Sequence, residues 1–283
     1  MDRQEAIAIS MSLWDEDADA WRDRWAPVWK EFADEVVRRA ALRPGERVLD
    51  VGTATGNALL AAARAVAPEG RAVGVDASGP MVGRTRLALQ AAGLNANVLQ
   101  MDARSLEFPD GWFNAVVSSC GVMSESLREI AGEVRRVLKP GGRFVWADWC
   151  FDKVAALRIF GDVLAAHRTA YPSAPLRRQR EAMDLLTPEV EALCERTSLE
   201  AALRRAGFAS VKGETISHTL RSFTYDSFIE ARLARTSIRR EVGEMTAEAR
   251  DAFRGELRRR LAHLEHDGAF EILWPMYYIT ATK

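Results

Sequence analysis

Three carboxylates in the first half of the chain each close a short apolar run: Asp50 in "VLDVG", Asp76 in "VGVDAS" and Asp102 in "VLQMD". In an open parallel sheet the carboxyl ends of the strands face the ligand crevice. An acidic side chain after the second strand can accept from both hydroxyls of a ribose. One after the third strand can accept from the adenine amino group, while the next backbone N–H, that of Ala103, is offered to the ring. Around Asp50 the stretch "VLDVGTATGN" adds Gly52 and Gly56, a turn whose missing Cβ atoms let backbone N–H groups approach a ligand beside a helix N-terminus. The dinucleotide fingerprint would need glycine at 54 and 57, where the chain has Ala54 and Asn57. No GK[ST] follows, so a P-loop is excluded. Strand-end carboxylates also cap helices, a role that suits one of them better than three on consecutive strands.

These groups need a scaffold, and the pattern supplies one. Apolar strands at 47–52, 71–78, 97–102, 114–120 and 143–149 alternate with helical stretches of ten or more residues. That rhythm implies right-handed crossovers and a parallel sheet. "SLREIAGEVRRVL" carries apolar residues at 127, 130, 134, 137 and 138, and Lys139-Pro140-Gly141-Gly142 stops it before the fifth strand. Ahead of the core, residues 14–43 read as one helix with Trp14, Trp21, Trp25 and Trp29 on a single face. That face suits packing on the sheet or a lid whose rings touch a substrate. Beyond 150, residues 152–206 are mostly helical around a Pro172–Pro175 loop. "SVKGETIS" reads as a sixth strand running parallel to the others, and "FEILWPMYYITATK" as a last strand with Pro275 at a bulge or edge.

The expected fold is α/β, a Rossmann-like, seven-stranded, mostly parallel sheet with an antiparallel last strand and helical cap insertions. Its divisions are an N-terminal helical lid (1–43), a cofactor-binding core (44–150), a helical cap (151–206) and the end of the sheet (207–283) with an insertion at 222–268.

At 283 residues and a formal net charge of −1, the chain is long enough for such a domain and not globally basic. Cys120, Cys150 and Cys194 form no CxxC, which argues against a zinc ribbon and a disulfide framework and points to a reducing cytoplasm. The polar start is not a signal peptide, and no apolar run approaches a membrane span. The Arg-rich stretch at 232–260 also carries many Glu and reads as a solvated helical face.

Taken together, the motifs resemble the class I S-adenosylmethionine-dependent methyltransferases. "VLDVGTATGN" matches the glycine motif, "VGVDAS" the ribose acid, "MDARSLEFPDGWFNAVVSS" the adenine segment and fourth strand, and "EVRRVLKPGGRFVWADW" the helix-turn-strand that ends the core. "LRRAGFASVKGETI" and "YYITATK" fit more loosely. The resemblance is closest to the ubiquinone/menaquinone-biosynthesis and natural-product branch. It implies S-adenosylmethionine as cofactor. Gly52, Thr53, Ala54, Gly56 and Asn57 would line its methionine part, with Asp50 beneath the corner or on the amino group. Asp76 and Ala77 would take the ribose, Asp102 and Ala103 the adenine, and Ser118 and Ser119 would lie beside the cofactor. Ala54 replaces the family's middle glycine, which bears on the loop's geometry.

Methyl transfer from a sulfonium needs alignment and exclusion of water more than covalent help. A general base matters only for a neutral acceptor, and the candidates are His218 at the rim of strand six, His167 in the first insertion, and Asp148 at the end of strand five. His263 and His266 read as solvated residues. Strand four lacks the Asn/Asp-Pro-Pro-aromatic motif of base N-methylation, and no metal cluster stands out. The expected reaction is methylation of an apolar or aromatic small-molecule acceptor, at oxygen first and otherwise at carbon or nitrogen, without nucleic acid and with a monomer or a homodimer equally open. The alternatives are a cofactor-binding protein with a non-methylating role such as cyclisation, and an RNA or protein methyltransferase.

Overall fold

The computed structural model describes residues 1–122, 126–149 and 151–283. Its chain divides into two compact units, one of Trp29–Trp149, Glu189–Ile216 and Tyr277–Lys283, the other of Met1–Val28, Cys150–Pro188 and Ser217–Met276.

The first unit holds the expected core. Strands β1 (Arg47–Val51), β2 (Arg71–Asp76), β3 (Asn97–Gln100), β4 (Phe113–Ser119) and β5 (Leu138–Asp148) form successive parallel pairs. The whole sheet has the order β3-β2-β1-β4-β5-β8-β6, with β6 at Ser210–Phe223, β7 at Glu265–His266 and β8 at Ala269–Thr282. β8 runs antiparallel to β5, with Arg143 opposite Thr282 and Asp148 opposite Tyr277. The short β7, which the sequence does not foreshadow, pairs with β8 through Glu265–Phe270. The order turns back between β1 and β4, so the crevice beside the glycine corner is the topological switch point.

Helix α3 (Asn57–Val66) follows β1, and Ala58, Leu59, Ala62, Ala63 and Val66 form its buried stripe. α4 (Gly79–Ala91) follows β2, with Ser78 accepting from the Met81 N–H as N-cap. α5 (Leu127–Val137) follows β4 and buries Leu127, Ile130, Val134 and Val137, as its periodicity selects, together with Ala131; Leu138, also expected in the helix, opens β5 instead. Arg143 ties this unit's lower edge, reaching Glu46 at 2.6 Å and the Ala41 carbonyl at 3.0 Å.

The second unit is largely helical. α1 (Arg3–Ala20) is followed by a π-turn at Trp21–Trp25, in which the Ala26 N–H reaches back to Trp21 O, and by α2 (Ala26–Ala40), which belongs to the first unit from Trp29 onward. A single continuous α-helix was expected here. Pro27 explains the break, since it has no N–H to give and its ring crowds the carbonyl four residues before it. α6 (Ala155–His167) packs on α11 (Ala247–Leu261) through Phe160 and Phe253, whose rings lie 5.7 Å apart edge to face. After α7 (Ala174–Ala192) and the first unit's α8 (Arg196–Arg205), α9 (Tyr225–Leu233) opens on a capping box between Thr224 and Ser227, and α10 (Thr236–Gly243) precedes α11. No helix of the described residues is long and apolar enough to cross a membrane. Cys120 is a free thiol, whereas Cys194 is disulfide-bonded, a bridge that the scattered cysteines did not suggest.

Candidate active site

The corner after β1 is built from alternating left-handed residues. Gly52, Ala54 and Gly56 have φ of 66°, 48° and 95°. At Gly52 the conformation and the space both demand glycine, because a Cβ there would stand 2.4 Å from Gly121 O. Gly121, in the turn after β4, is the reciprocal case, with a would-be Cβ 2.5 Å from the carbonyls of Val51 and Gly52. Two backbones therefore touch where the sheet order reverses.

Ala54 is an alanine in glycine's conformation, held there from both sides. Its N–H donates to Asp76 Oδ2 at 2.8 Å, and its carbonyl accepts from the buried Thr85 hydroxyl. The other oxygen of Asp76 accepts from the Ser78 N–H at 2.9 Å. Asp76 thus braces the glycine loop and stands at the position expected for a ribose acid. The N–H groups of Gly52 and Thr53 both donate to Val75 O, and that of Gly56 donates to Thr53 O. The N–H groups of Gly52, Thr53, Ala54 and Gly56, which the sequence alone makes available to a ligand, are thus used inside the corner. Beside these used donors, the Asp50 and Asp76 carboxylates give the corner a negative charge that favours a cation.

Asp50 lies beneath, 1% exposed. Thr53 Oγ1 donates to its Oδ2 at 2.7 Å, while its Oδ1 is buried without a hydrogen-bond partner. Burial pushes the Asp50 carboxyl up to about 7, opposed by the Thr53 hydrogen bond, reinforced by the charge of Asp76 and eased by the nearby Leu59 backbone N–H. A buried acceptor left open costs stability unless a donor reaches it. The ammonium and sulfonium of S-adenosylmethionine supply the charge this corner lacks, and the residues present fit that cofactor.

Asp102 follows β3 and is tied to Arg104, which donates from Nη2 at 2.7 Å and from Nε at 2.9 Å to Oδ2, and from its backbone N–H at 2.8 Å to Oδ1. Burial works to raise its pKa, but the Arg104 hydrogen bonds and charge prevail and hold the carboxyl below its ordinary value. Ala103 is the half-buried next residue of the same turn. Ala77 offers its carbonyl to Gln100 Nε2 at 3.1 Å, and Asn57 opens α3.

At the end of β4, Ser118 is fully buried and its hydroxyl donates to Val51 O at 2.8 Å, so it clips β4 to β1. Ser119 is half-buried and stands opposite Ala147. Cys120 has φ of 56°, and burial, then the charge of Asp148, pushes its thiol well up. Asp148 Oδ1 accepts from the Trp149 N–H at 2.8 Å.

The two candidate histidines belong to the helical unit. His167 Nε2 lies 2.9 Å from Glu256 Oε2, and its ring meets Phe253 edge to face at 6.3 Å. His218 was expected at the end of the sixth strand; β6 continues to Phe223, so the half-buried His218 stands within it. Thr85, Gly121 and Arg104 were not singled out from the sequence, because each gains its role from a partner fixed only by the local fold.

A family described as "Methyltransferase domain" matches residues 48–142. The chain is 30% identical over 188 residues to the ubiquinone/menaquinone biosynthesis C-methyltransferase UbiE of Burkholderia mallei, covering 65% of this chain and 74% of that protein. It is 38% identical over 120 residues to demethylmenaquinone methyltransferase of Symbiobacterium thermophilum, with 41% of this chain and 48% of that protein covered. In fold it is similar to the YcgJ protein of Bacillus subtilis, with a TM-score of 0.59 at 21% identity over 89% of this chain and 98% of that one. With its glycine corner, strand-end acids and reversed sheet order, the chain belongs to the S-adenosylmethionine-dependent methyltransferase family that includes the ubiquinone/menaquinone-biosynthesis enzymes.

Proposed function

We propose that this protein methylates an apolar, aromatic small molecule of quinol type. The reading is carried by the Asp50–Thr53–Ala54–Asp76 corner, which leaves a buried carboxylate oxygen open for a cationic group. S-adenosylmethionine, when bound, supplies an electrophilic methyl group. The chain's own residues would hold and orient it: Asp76 would accept from the ribose, Asp102 from the adenine, and Asp50 would neutralise a cationic tail. Asp148, at the end of β5, is the candidate to orient an acceptor or take its proton.

The sequence alone favours oxygen as the acceptor atom. The curated relatives named C-methyltransferases favour ring carbon instead, and so does the chemistry of a quinol. An electron-rich carbon beside a phenolate attacks without a strong base, which agrees with histidines that are paired in the helical unit or set within a strand.

The test is incubation of the protein with methyl-labelled S-adenosylmethionine and a panel of naphthoquinols, catechols and phenolic acids, followed by mass analysis of the product. A ring-methylated product supports the reading. Tight cofactor binding with no labelled product across the panel sinks it in favour of a non-methylating role.

A further inference from the structure

The stretch at 232–260 was expected to be a solvated charged face, and Arg232 departs from that expectation. Its side chain is half-buried, and its Nε is sealed from solvent with no hydrogen-bond partner. The guanidinium lies over two rings, 5.1 Å from the centroid of Phe160 and 5.9 Å from that of Phe151. Phe160 is fully buried and forms a floor, whereas Phe151 is 36% exposed and stands against Gly161 as an accessible wall.

Three residues on, Arg235 makes the comparison. It lies over Trp14 at 4.2 Å and Trp21 at 5.6 Å, but its charge is met by the fully buried Asp17, at 2.6 Å from Nε. Asp17 also accepts from the Thr236 N–H. Asp17 is therefore committed to Arg235 and to the Thr236 N–H, and no carboxylate among the described residues pairs with Arg232. Burial, and then the charge of Arg235, pushes the Arg232 pKa down. Aromatic faces attract a guanidinium but do not neutralise it.

We propose that Arg232 is the anion-reading residue of an aromatic-walled binding site in the helical unit, and that its ligand is a flat aromatic molecule bearing a single carboxylate. One uncompensated guanidinium matches one negative charge, and its planar fork accepts a carboxylate through two parallel hydrogen bonds. The exposed Phe151 ring gives the ligand's ring a surface to stack on. This goes beyond the methyltransferase reading, since the site lies within the helical unit and is argued from that unit's residues alone.

The full-length protein, without added cofactor, is titrated with 2-naphthoate, with the neutral isostere 2-naphthamide and with inorganic phosphate, followed by calorimetry and tryptophan emission. The expected result is naphthoate binding about tenfold or more tighter than naphthamide, with phosphate weakest. Arg232→Met should bring naphthoate down to the naphthamide level, and Arg232→Lys should restore part of the difference. Equal binding of naphthoate and naphthamide by the wild-type protein overturns the site whatever the variants do. So does unchanged naphthoate affinity in Arg232→Met, and phosphate binding as tight as naphthoate. Discrimination that persists while no acceptor is methylated supports the site and counts against the transferase reading alone.

Discussion

Asp76 accepts from two backbone N–H groups before any cofactor arrives, so its removal has two consequences. Asp76→Ala should lower S-adenosylmethionine affinity by about tenfold or more, the loss of a charge-assisted bond of roughly 1.5–3 kcal/mol, and should also loosen the loop at Ala54. Calorimetry showing unchanged affinity would remove Asp76 from the site. Ala54 offers an independent check. A left-handed alanine costs roughly 1–2 kcal/mol, while glycine at the same place costs about 0.4–1 kcal/mol through the unfolded chain. Ala54→Gly should therefore stabilise by about 0.5–1 kcal/mol in urea unfolding. A destabilised variant would mean that Thr85 and Asp76 hold Ala54 without strain. The three acids were legible as polar ends of apolar runs. Ala54 was legible as a departure from a glycine motif, but its conformation was not, because the restraining Thr85 sits a helix away in sequence.

The contact of β1 with β4 is made by backbones, at Gly52 and Gly121. Gly121 has no left-handed φ, so its requirement for glycine is purely steric. Gly121→Ala should destabilise by about 1–3 kcal/mol, the range of overpacking, and weaken cofactor binding with it. Denaturation and calorimetry on the one variant measure both, and a neutral result would show that the two turns separate easily. The strands and helices between 47 and 149 could be read from alternation and from turns such as Lys139-Pro140-Gly141-Gly142. Gly121 could not, since nothing in "SSCGVM" tells that another glycine turn will lie against it. The π-turn before Pro27 and the two-residue β7 were missed for a related reason. Both are local adjustments to a proline or a neighbouring strand, too short to leave a periodic pattern.

Across the whole molecule, the most perturbed acid of the core is Asp50. Its native pKa of about 7 lies above the ordinary 3.8, so the folded protein retains a proton that the unfolded chain releases. The stabilising contribution is therefore full below the unfolded pKa and is lost as pH rises toward about 7. Asp50→Asn is neutral throughout and should lack that slope. Unfolding free energies measured between about pH 5 and pH 7 should fall more steeply for the wild-type protein than for the variant. Parallel curves would show that Asp50 is ionised in the fold. A cofactor that brings positive charge to the open Oδ1 should reduce the same slope in the wild-type protein.

The core unit is stitched from three stretches of chain, and Tyr277–Lys283 is the last of them. During synthesis β1 to β5 emerge early, yet the edge of β5 that β8 covers stays open until the long helical insertion has also left the ribosome. Its N–H and C=O groups from Arg143 to Asp148 present an unpaired edge for that whole interval. Folding is thereby gated by the far end of the chain, with a high contact order and a slow closing step. The nascent protein is most exposed to misassociation just before its final strand arrives.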